Sequence, residues 1–384
     1  MQRVYFDNAA TTPMSEEVID AMLPMLRNQY GNPSSIHAEG RSVRAALESA
    51  RKVVAQCIGA GTGEIFFTSG GTESNNMAIK CAVRDLGVQR IISSPTEHHC
   101  GTHAIETVKM VNGVEVVWLP VDALGRINYQ DLENALANAG GKKTLVSLMH
   151  ANNEIGTMID LGIVSALCRQ YGAFFHSDTV QTLGHFPINV QDTPVSFLSG
   201  AAHKFHGPKG VGFIYISPES PIKPFIDGGA QERNMRGGTE NVYGIVGLAK
   251  ALELANNEMS ARSEHIIAVR NYLKKCLLEE FEDIQFNGDL EGDSLYTVLN
   301  VAFPPNPKNE LLLLSLDIAG ISCSGGSACS SGSEKGSHVL EAIGASHDRK
   351  SIRFSFSHYN SFEEVDFVIG KLKTILPVRE AIAV

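Results

Sequence analysis

The strongest constraint on the fold is the alternation of short apolar runs with helix-length segments along the first half of the chain. The runs are rich in β-branched and aromatic side chains, which is typical of buried strands. They lie at residues 64–67, 90–93, 114–119, 145–150, 173–177 and 212–216. Strands spaced in this way predict an α/β fold with a mostly parallel sheet flanked by helices. Ligands bind such sheets at the carboxyl ends of the strands.

The pattern changes after about residue 240. The remainder is predicted to form, in order, helix, strand, helix, strand and helix, at residues 242–282, 296–302, 310–318, 351–357 and from 361 onward. The last helix begins with a capping box, in which Glu364 follows Ser361 three residues later. This part of the chain is therefore predicted to be α+β.

Length and charge limit the class of protein. The 384 residues exceed the roughly 250–300 at which one core stops growing, so we predict two domains. The large domain is predicted at residues 14–258, and the small domain at residues 1–13 and 259–384. The formal net charge of −10 argues against nucleic acid and anionic membranes as main partners.

The N-terminus shows no export signal, and no apolar stretch is long enough to span a bilayer. The seven cysteines are widely scattered, as thiols of cytoplasmic proteins are. We therefore expect a cytoplasmic enzyme.

Two segments follow predicted strands and carry candidate binding residues. Residues 67–76 (FTSGGTESNN) predict a glycine turn into a helix, whose free N–H groups suit a phosphate. An ordinary strand-to-helix turn remains the alternative. Asp178 ends another strand and could hold a positive ring nitrogen, with Gln181 near an adjacent phenolate. Asp178 could equally be a helix N-cap.

Two further segments carry candidate nucleophiles. Lys204 follows a strand-like run and precedes Gly207-Pro208, so it could be packed against a ligand. Desolvation would lower the pKa of this lysine and favour Schiff-base chemistry, although a surface lysine is the alternative. Cys329 lies in a Gly/Ser-rich tract, predicted as an exposed mobile loop at about 322–336, which favours a reactive thiol. Cys323, near the loop's start, is expected to be structural.

Residues 97–103 (EHHCGTH) concentrate imidazole and thiol groups as zinc sites do. A second Cys or His pair at zinc spacing is missing from the sequence, and the segment follows a strand. We therefore expect no metal site. A histidine at the carboxyl end of a strand could instead stack on a flat aromatic ligand.

Further motifs in the sequence carry a family resemblance. They are FDNAATT at 6–12, YGNPSS at 30–35, TEH at 96–98, MHANNEIG at 149–156 and ERNMRGGT at 232–239. Together, over nearly the whole chain, these segments resemble the cysteine desulfurases, fold-type-I pyridoxal-phosphate enzymes of the class V aminotransferase group. The long loop with Ser-Ala-Cys resembles the group I type, which serves nitrogenase and general iron–sulfur assembly.

The resemblance implies roles for individual residues. Lys204 would bind pyridoxal phosphate covalently, Asp178 its ring nitrogen and Gln181 its ring hydroxyl. His98 would stack on the ring and act in catalysis with Lys204 and Cys329. Gly71, Thr72 and His203 would bind the phosphate, together with Thr239 from the partner subunit of a homodimer. Asn153 and Arg353 would bind the substrate carboxylate, and Asn153 would also border the cofactor.

The implied reaction is a sulfur transfer. L-cysteine would yield L-alanine and a persulfide on Cys329, which would pass the sulfur to an acceptor protein, an iron–sulfur scaffold. A selenocysteine lyase or another class V aminotransferase is the alternative. The chain departs from the family at Ala201, where a serine is usual, so Ser199 or water would have to replace one phosphate contact. The end at Val384 puts docking of a scaffold through a longer tail in doubt.

Overall fold

The computed structural model describes residues 3–325 and 336–379. The described residues form twelve strands in three sheets. In chain order the strands are β1 (Val4–Tyr5), β2 (Ile65–Thr68), β3 (Arg90–Ser93), β4 (Glu115–Trp118), β5 (Thr144–Ser147), β6 (Phe174–Asp178), β7 (Phe197–Ala201), β8 (Gly212–Ile216), β9 (Gln285–Asn287), β10 (Val298–Phe303), β11 (Ile321–Ser322) and β12 (Lys350–Ser355).

The same residues form twelve α-helices, several of them flanking the largest sheet. They are α1 (Glu16–Asn28), α2 (Ala38–Cys57), α3 (Gly71–Leu86), α4 (His99–Asn112), α5 (Tyr129–Ala137), α6 (Leu161–Gln170), α7 (Gln231–Asn234), α8 (Val242–Asn257), α9 (Met259–Glu280), α10 (Leu312–Ile318), α11 (His338–Ala342) and α12 (Phe362–Ile375). Within the described ranges, every helix is too short or too polar to cross a membrane.

The largest sheet has the strand order β2-β8-β7-β6-β5-β3-β4. The pairs β3–β4, β3–β5, β5–β6 and β6–β7 are parallel, which confirms the predicted α/β fold. β8 is antiparallel to both of its neighbours, a detail that the apolar pattern does not predict. β7 is not among the six apolar runs because its sequence, FLSGA, contains three small residues.

Consecutive side chains of the large sheet point to opposite faces, and both faces are covered. Phe67, Ile92 and Val146 pack in one apolar cluster with α2, α6 and α8. Phe66 and Ile91, one residue earlier in their strands, pack in another cluster with α3 and α4. Burial on both faces explains why these strands are continuous apolar runs rather than alternating ones.

A third apolar cluster joins residues from both ends of the chain. It contains Val4 and Phe6 together with side chains of α9, β10, β12 and α12. β1 pairs in parallel with β11, so the N-terminal segment is held beside the C-terminal part. The capping box predicted for α12 is confirmed, since Ser361 and Glu364 each cap the other's backbone N–H. The domain boundaries given above stay a prediction.

Candidate active site

Most of the predicted site residues line one cavity at the carboxyl edge of the large sheet. The cavity has a volume of about 240 Å³. Its lining comprises Ala9, Ala10, Gly71, Thr72, His98, Cys100, Met149, Asn153, Asp178, Val180, Gln181, Ala201, His203, Lys204 and Arg353. A larger cleft of about 780 Å³, lined among others by His150, Arg270 and Tyr296, contains none of the predicted site residues within the described chain.

Lys204 enters the cavity from a 3₁₀ turn that directly follows β7. Its Nζ donates hydrogen bonds to the carbonyl oxygens of Ala9, at 2.5 Å, and Ala10, at 2.8 Å. The adjacent His203 is bound to the same N-terminal segment, with its Nδ1 3.2 Å from Thr11 Oγ1. The N-terminal segment therefore fixes the position of the lysine.

Asp178 ends β6 and is almost fully buried. Asn75 Nδ2 donates to its Oδ2 at 2.5 Å, and the Val180 N–H donates to its Oδ1 at 3.0 Å. Gln181 follows on the next turn and donates its Nε2 to the Ala9 carbonyl at 3.1 Å. These hydrogen bonds hold both carboxyl oxygens of Asp178 in place at the cavity, where the carboxyl is positioned to pair with a positive group.

The N-terminus of α3 forms another wall of the cavity. Gly70 has φ of +145°, a backbone conformation that glycine adopts readily, and the helix starts at Gly71. A Cβ at Gly71 would lie 2.6 Å from Val180 Cγ2, so only glycine leaves space there. The unpaired N–H groups and the dipole at this terminus favour an anion such as a phosphate.

His98 is the N-cap residue of α4. Its Nδ1 accepts a hydrogen bond from the backbone N–H of Cys100 at 3.2 Å. Burial lowers the pKa of His98 below its usual value, and the nearby Asp178 carboxylate opposes that shift less strongly. The imidazole is therefore neutral at neutral pH, and a neutral ring can stack on a flat aromatic ligand.

Arg353 lies on β12 and is 1% exposed. Its Nη2 pairs with Asp7 Oδ1 at 2.9 Å, and its Nη1 donates to the Asn153 carbonyl at 2.8 Å. Its Nε is buried and has no hydrogen-bond partner among the described residues. The two residues that the resemblance assigns to the substrate carboxylate are thus in direct contact.

Thr239 and Cys329 are the predicted site residues that this cavity does not include. Thr239 lies instead in a second cavity of about 180 Å³, beside Ser69 and Arg236, in the described part of the chain. Cys329 lies outside the described residues. Burial raises the pKa of the Cys323 thiol to about 12, which fits the structural role expected for it.

Two other expectations from the sequence concern a possible metal site and the role of Ser199 at the phosphate. Across residues 3–325 and 336–379, no group of three His, Cys, Asp or Glu side chains is arranged to hold a metal ion. Ser199 is fully buried within the sheet, and its Oγ contacts His176 Nε2 at 3.1 Å. Ser199 is not among the residues that line the cavity, so of the two expected replacements for the missing serine, Ser199 or water, the structure contradicts Ser199 and leaves water.

Three residues that organise the cavity were not predicted as site residues from the sequence. Asp7 pairs with Arg353, Asn75 holds Asp178, and Cys100 contacts His98, with 2.9 Å between Sγ and Nδ1. Asn75 lies one turn after Gly71 on α3, so helical periodicity could have placed it on the cavity side. The pairing of Asp7 with Arg353 had no comparable signal.

The chain is similar to known proteins in both sequence and structure. A sequence model of the family described as "Aminotransferase class-V" matches residues 4–368. The cysteine desulfurase IscS of Dictyoglomus turgidum is 44% identical, covering 99% of this chain and 98% of that protein. A NifS-like protein of known structure superposes with a TM-score of 0.89 at 37% identity, covering 97% and 99% of the two chains. The structure of SspA in complex with cysteine has a TM-score of 0.80 at 32% identity, with 94% and 100% covered.

Proposed function

Since the chain belongs to the class V aminotransferase family, and within it to the cysteine desulfurases, we propose here which residues carry out each step. It is a pyridoxal-phosphate-dependent sulfurtransferase that removes sulfur from L-cysteine and releases L-alanine. The observation that carries the residue assignment is one cavity bordered by a lysine, a buried carboxylate and a helix N-terminus. The lysine is a point for covalent attachment, the carboxylate is a partner for a positively charged ring nitrogen, and the helix N-terminus is a binding site for an anion.

The donor set around the cavity fits pyridoxal phosphate. Asp178 would hold the ring nitrogen, Gln181 the ring hydroxyl, and Lys204 would form the covalent link. The other residues that would hold the cofactor are His98 on the ring face, Gly71, Thr72 and His203 at the phosphate, and Asn153 at the ring's edge. When bound, the cofactor would supply an electron sink for the bond broken at the substrate's α-carbon.

Lys204 would also move the proton of that α-carbon. The Ala9 and Ala10 carbonyls, which accept from its Nζ, would keep the amine at the cavity wall within reach of that proton. Arg353 would bind the substrate carboxylate, because a guanidinium forks onto two carboxylate oxygens. The unpartnered Nε and the contact with Asn153, both within the described chain, support this assignment.

Cys329 would accept the sulfur. Its thiolate would form an S–S bond to the sulfur of L-cysteine while the bond from that sulfur to the β-carbon breaks. The electron pair of the broken bond would go to the β-carbon, which gains a proton and becomes the methyl group of L-alanine. The persulfide on Cys329 would then pass its terminal sulfur to an acceptor protein, which we propose is an iron–sulfur scaffold.

We further propose a homodimer in which each subunit completes the partner's site. Thr239 lies apart from the Lys204 cavity within one described chain, which supports a role at the cavity of the second subunit. Tyr30 and Ile36 are 84% and 89% exposed, and a surface that covers these large side chains would stabilise a dimer.

The cellular compartment and the domain division are also proposals. All six cysteines among the described residues are free thiols, which supports a cytoplasmic protein. The separate apolar cluster that joins Val4 and Phe6 to β10, β12 and α12 supports the division into residues 14–258 and residues 1–13 with 259–384.

The test of these roles separates cofactor binding from sulfur transfer. Cys329→Ala should keep the yellow colour of the bound cofactor but lose L-alanine production from L-cysteine by at least about 100-fold. Lys204→Ala should lose the visible absorbance of the covalent link. Cys323→Ala, at a half-buried thiol that does not line the cavity, serves as the matched control and should keep both properties. Normal alanine and sulfide release by Cys329→Ala would contradict the assignment.

A further inference from the structure

Cys100 lines the cofactor cavity, but the reaction described above leaves it without a task. Its Sγ lies 2.9 Å from Nδ1 of His98 and 3.0 Å from Nδ2 of Asn75. The same Asn75 nitrogen lies 2.5 Å from Oδ2 of Asp178. A continuous chain of contacts therefore joins the buried carboxylate to the imidazole.

The chemistry of the groups gives each hydrogen bond a direction. An amide nitrogen can only donate, so Asn75 Nδ2 donates one hydrogen to Asp178 Oδ2 and has a second for Cys100 Sγ. Burial raises the pKa of the Cys100 thiol to about 12, so the sulfur keeps its own hydrogen at neutral pH. Asn75 and the Thr72 hydroxyl both donate to the sulfur, so the S–H is available to donate to His98 Nδ1.

His98 Nδ1 also accepts from the backbone N–H of Cys100. Both donors act on the neutral ring, because burial lowers the pKa of His98. A neutral imidazole whose Nδ1 accepts must have its hydrogen on Nε2. Since Nδ1 faces Cys100, Nε2 is the nitrogen that can face the cavity.

We propose that Cys100 is a positioning residue that fixes His98 in the tautomer protonated at Nε2. The inference rests on the proposed role of His98 at the cofactor and makes that role more specific. His98 therefore presents an Nε2–H hydrogen-bond donor to the cavity, while its one basic lone pair, on Nδ1, is directed at Cys100. Asp178 controls this state through Asn75, so the group that would hold the ring nitrogen also orients the residue on the ring face.

The direct test is the protonation state of each His98 nitrogen. Full-length protein labelled with ¹⁵N at histidine would be studied by solid-state NMR with and without cofactor, and His98→Gln would identify the resonances. The wild type should show a protonated Nε2 and an unprotonated Nδ1. Cys100→Ala should give a mixture of both tautomers, whereas Cys100→Ser, which keeps a donor, should restore the wild-type pattern.

Further variants separate a positioning role from a structural one. Cys168→Ala removes another buried thiol and should leave the His98 resonances unchanged. If Cys100→Ala does not fold, Cys100→Val makes the same comparison without a donor. A wild-type pattern in Cys100→Ala, or in Cys100→Val, would show that the backbone N–H alone fixes the ring and would overturn the proposal.

Kinetics provide a second readout. Cys100→Ala should lower kcat for L-cysteine about tenfold with little change in KM, and Cys100→Ser should stay within about twofold of the wild type. Equal kcat values for Cys100→Ala and the wild type would contradict the proposal. A protein with the expected tautomer pattern that forms no L-alanine would overturn the proposed function and leave the tautomer assignment supported.

Discussion

Arg51 and Glu232 form a buried ion pair next to the strand that leads to the proposed phosphate site. Their side chains are 1% and 2% exposed, and Arg51 Nη1 lies 2.8 Å from Glu232 Oε2. The same oxygen accepts the Phe67 N–H at 2.8 Å. Glu232 has φ of +45°, in the left-handed region that side chains rarely adopt. The pair therefore joins α2, β2 and the segment around residue 232 in one fixed arrangement.

Glu232→Ala should reduce the free energy of unfolding by about 3 kcal/mol, because it leaves the buried Arg51 guanidinium with only the half-exposed Glu48 as counter-charge, at 3.2 Å from Nε to Oε1. Urea denaturation at fixed protein concentration measures the change. Glu253→Ala is the matched control, since Glu253 pairs with Lys250 at 3.0 Å on the surface, where a loss of at most about 1 kcal/mol is expected. Equal losses in the two variants would show that the buried pair contributes no more to the free energy of unfolding than the surface pair does.

Some site residues could be predicted from the sequence because they follow a strand directly. Asp178 ends β6, which was predicted as an apolar run, so strand prediction places it at the carboxyl edge of the sheet. Lys204 follows β7, which the sequence showed only as a strand-like run before the His-Lys pair. The contact of Asp7 with Arg353 joins residues 346 positions apart. Local pattern contains no information about such a pair, since only the packing of both chain ends brings it together.

At the scale of elements, the start of α3 is the part of the site most sensitive to shape. Gly71→Ala should weaken retention of pyridoxal phosphate, because the new Cβ would lie 2.6 Å from Val180 Cγ2 and displace the helix N-terminus from the cavity. We expect at least about a tenfold rise in the cofactor dissociation constant, equivalent to about 1.4 kcal/mol. Titration of the apoprotein, followed by visible absorbance, measures this constant.

Gly370→Ala is the control for this prediction, because a Cβ at this position of α12 meets nothing within 4 Å among the described residues. It should leave cofactor binding unchanged. Val180→Ala combined with Gly71→Ala should recover part of the affinity by removing the methyl group that the new Cβ meets. If Gly71→Ala binds cofactor as tightly as the wild type, close packing at this terminus is not what shapes the phosphate site.

The strands that could be predicted from the sequence are the ones that are buried on both faces of the sheet. The strands buried on both faces, such as β3 and β5, were visible as apolar runs, and the α12 capping box was visible because its two residues are three apart. β7 was not visible as an apolar run, since its small residues allow close approach: a Cβ at Gly200 would lie 2.6 Å from both Leu183 and Phe213 side chains. The antiparallel direction of β8 depends on its connection and not on its composition.

At the scale of the whole molecule, several buried histidines link folding to pH. Burial lowers the pKa of His150, His176 and His185 to about 4, and that of His206 to about 3. In the unfolded chain the same groups would bind protons near pH 6.5. The unfolded state therefore binds more protons between about pH 6.5 and 4, and stability falls as the pH drops through this range. Buried Glu97 acts in the opposite direction, because burial raises the pKa of its carboxyl well above the usual value.

Each of the four histidines should contribute about 2 kcal/mol of lost stability between pH 7.5 and pH 5, and Glu97 should offset part of this sum. We expect the holoenzyme to lose at least about 5 kcal/mol of unfolding free energy over that interval, because His358, whose pKa burial also lowers to about 4, adds to the loss; urea denaturation with excess cofactor measures it. His176→Gln should reduce the difference by about 2 kcal/mol, since His176 is fully buried between Ser147 and Ser199. His347→Gln, at an exposed histidine, should leave the difference unchanged. Equal stability of the wild type at the two pH values would mean that these histidines do not control its acid sensitivity.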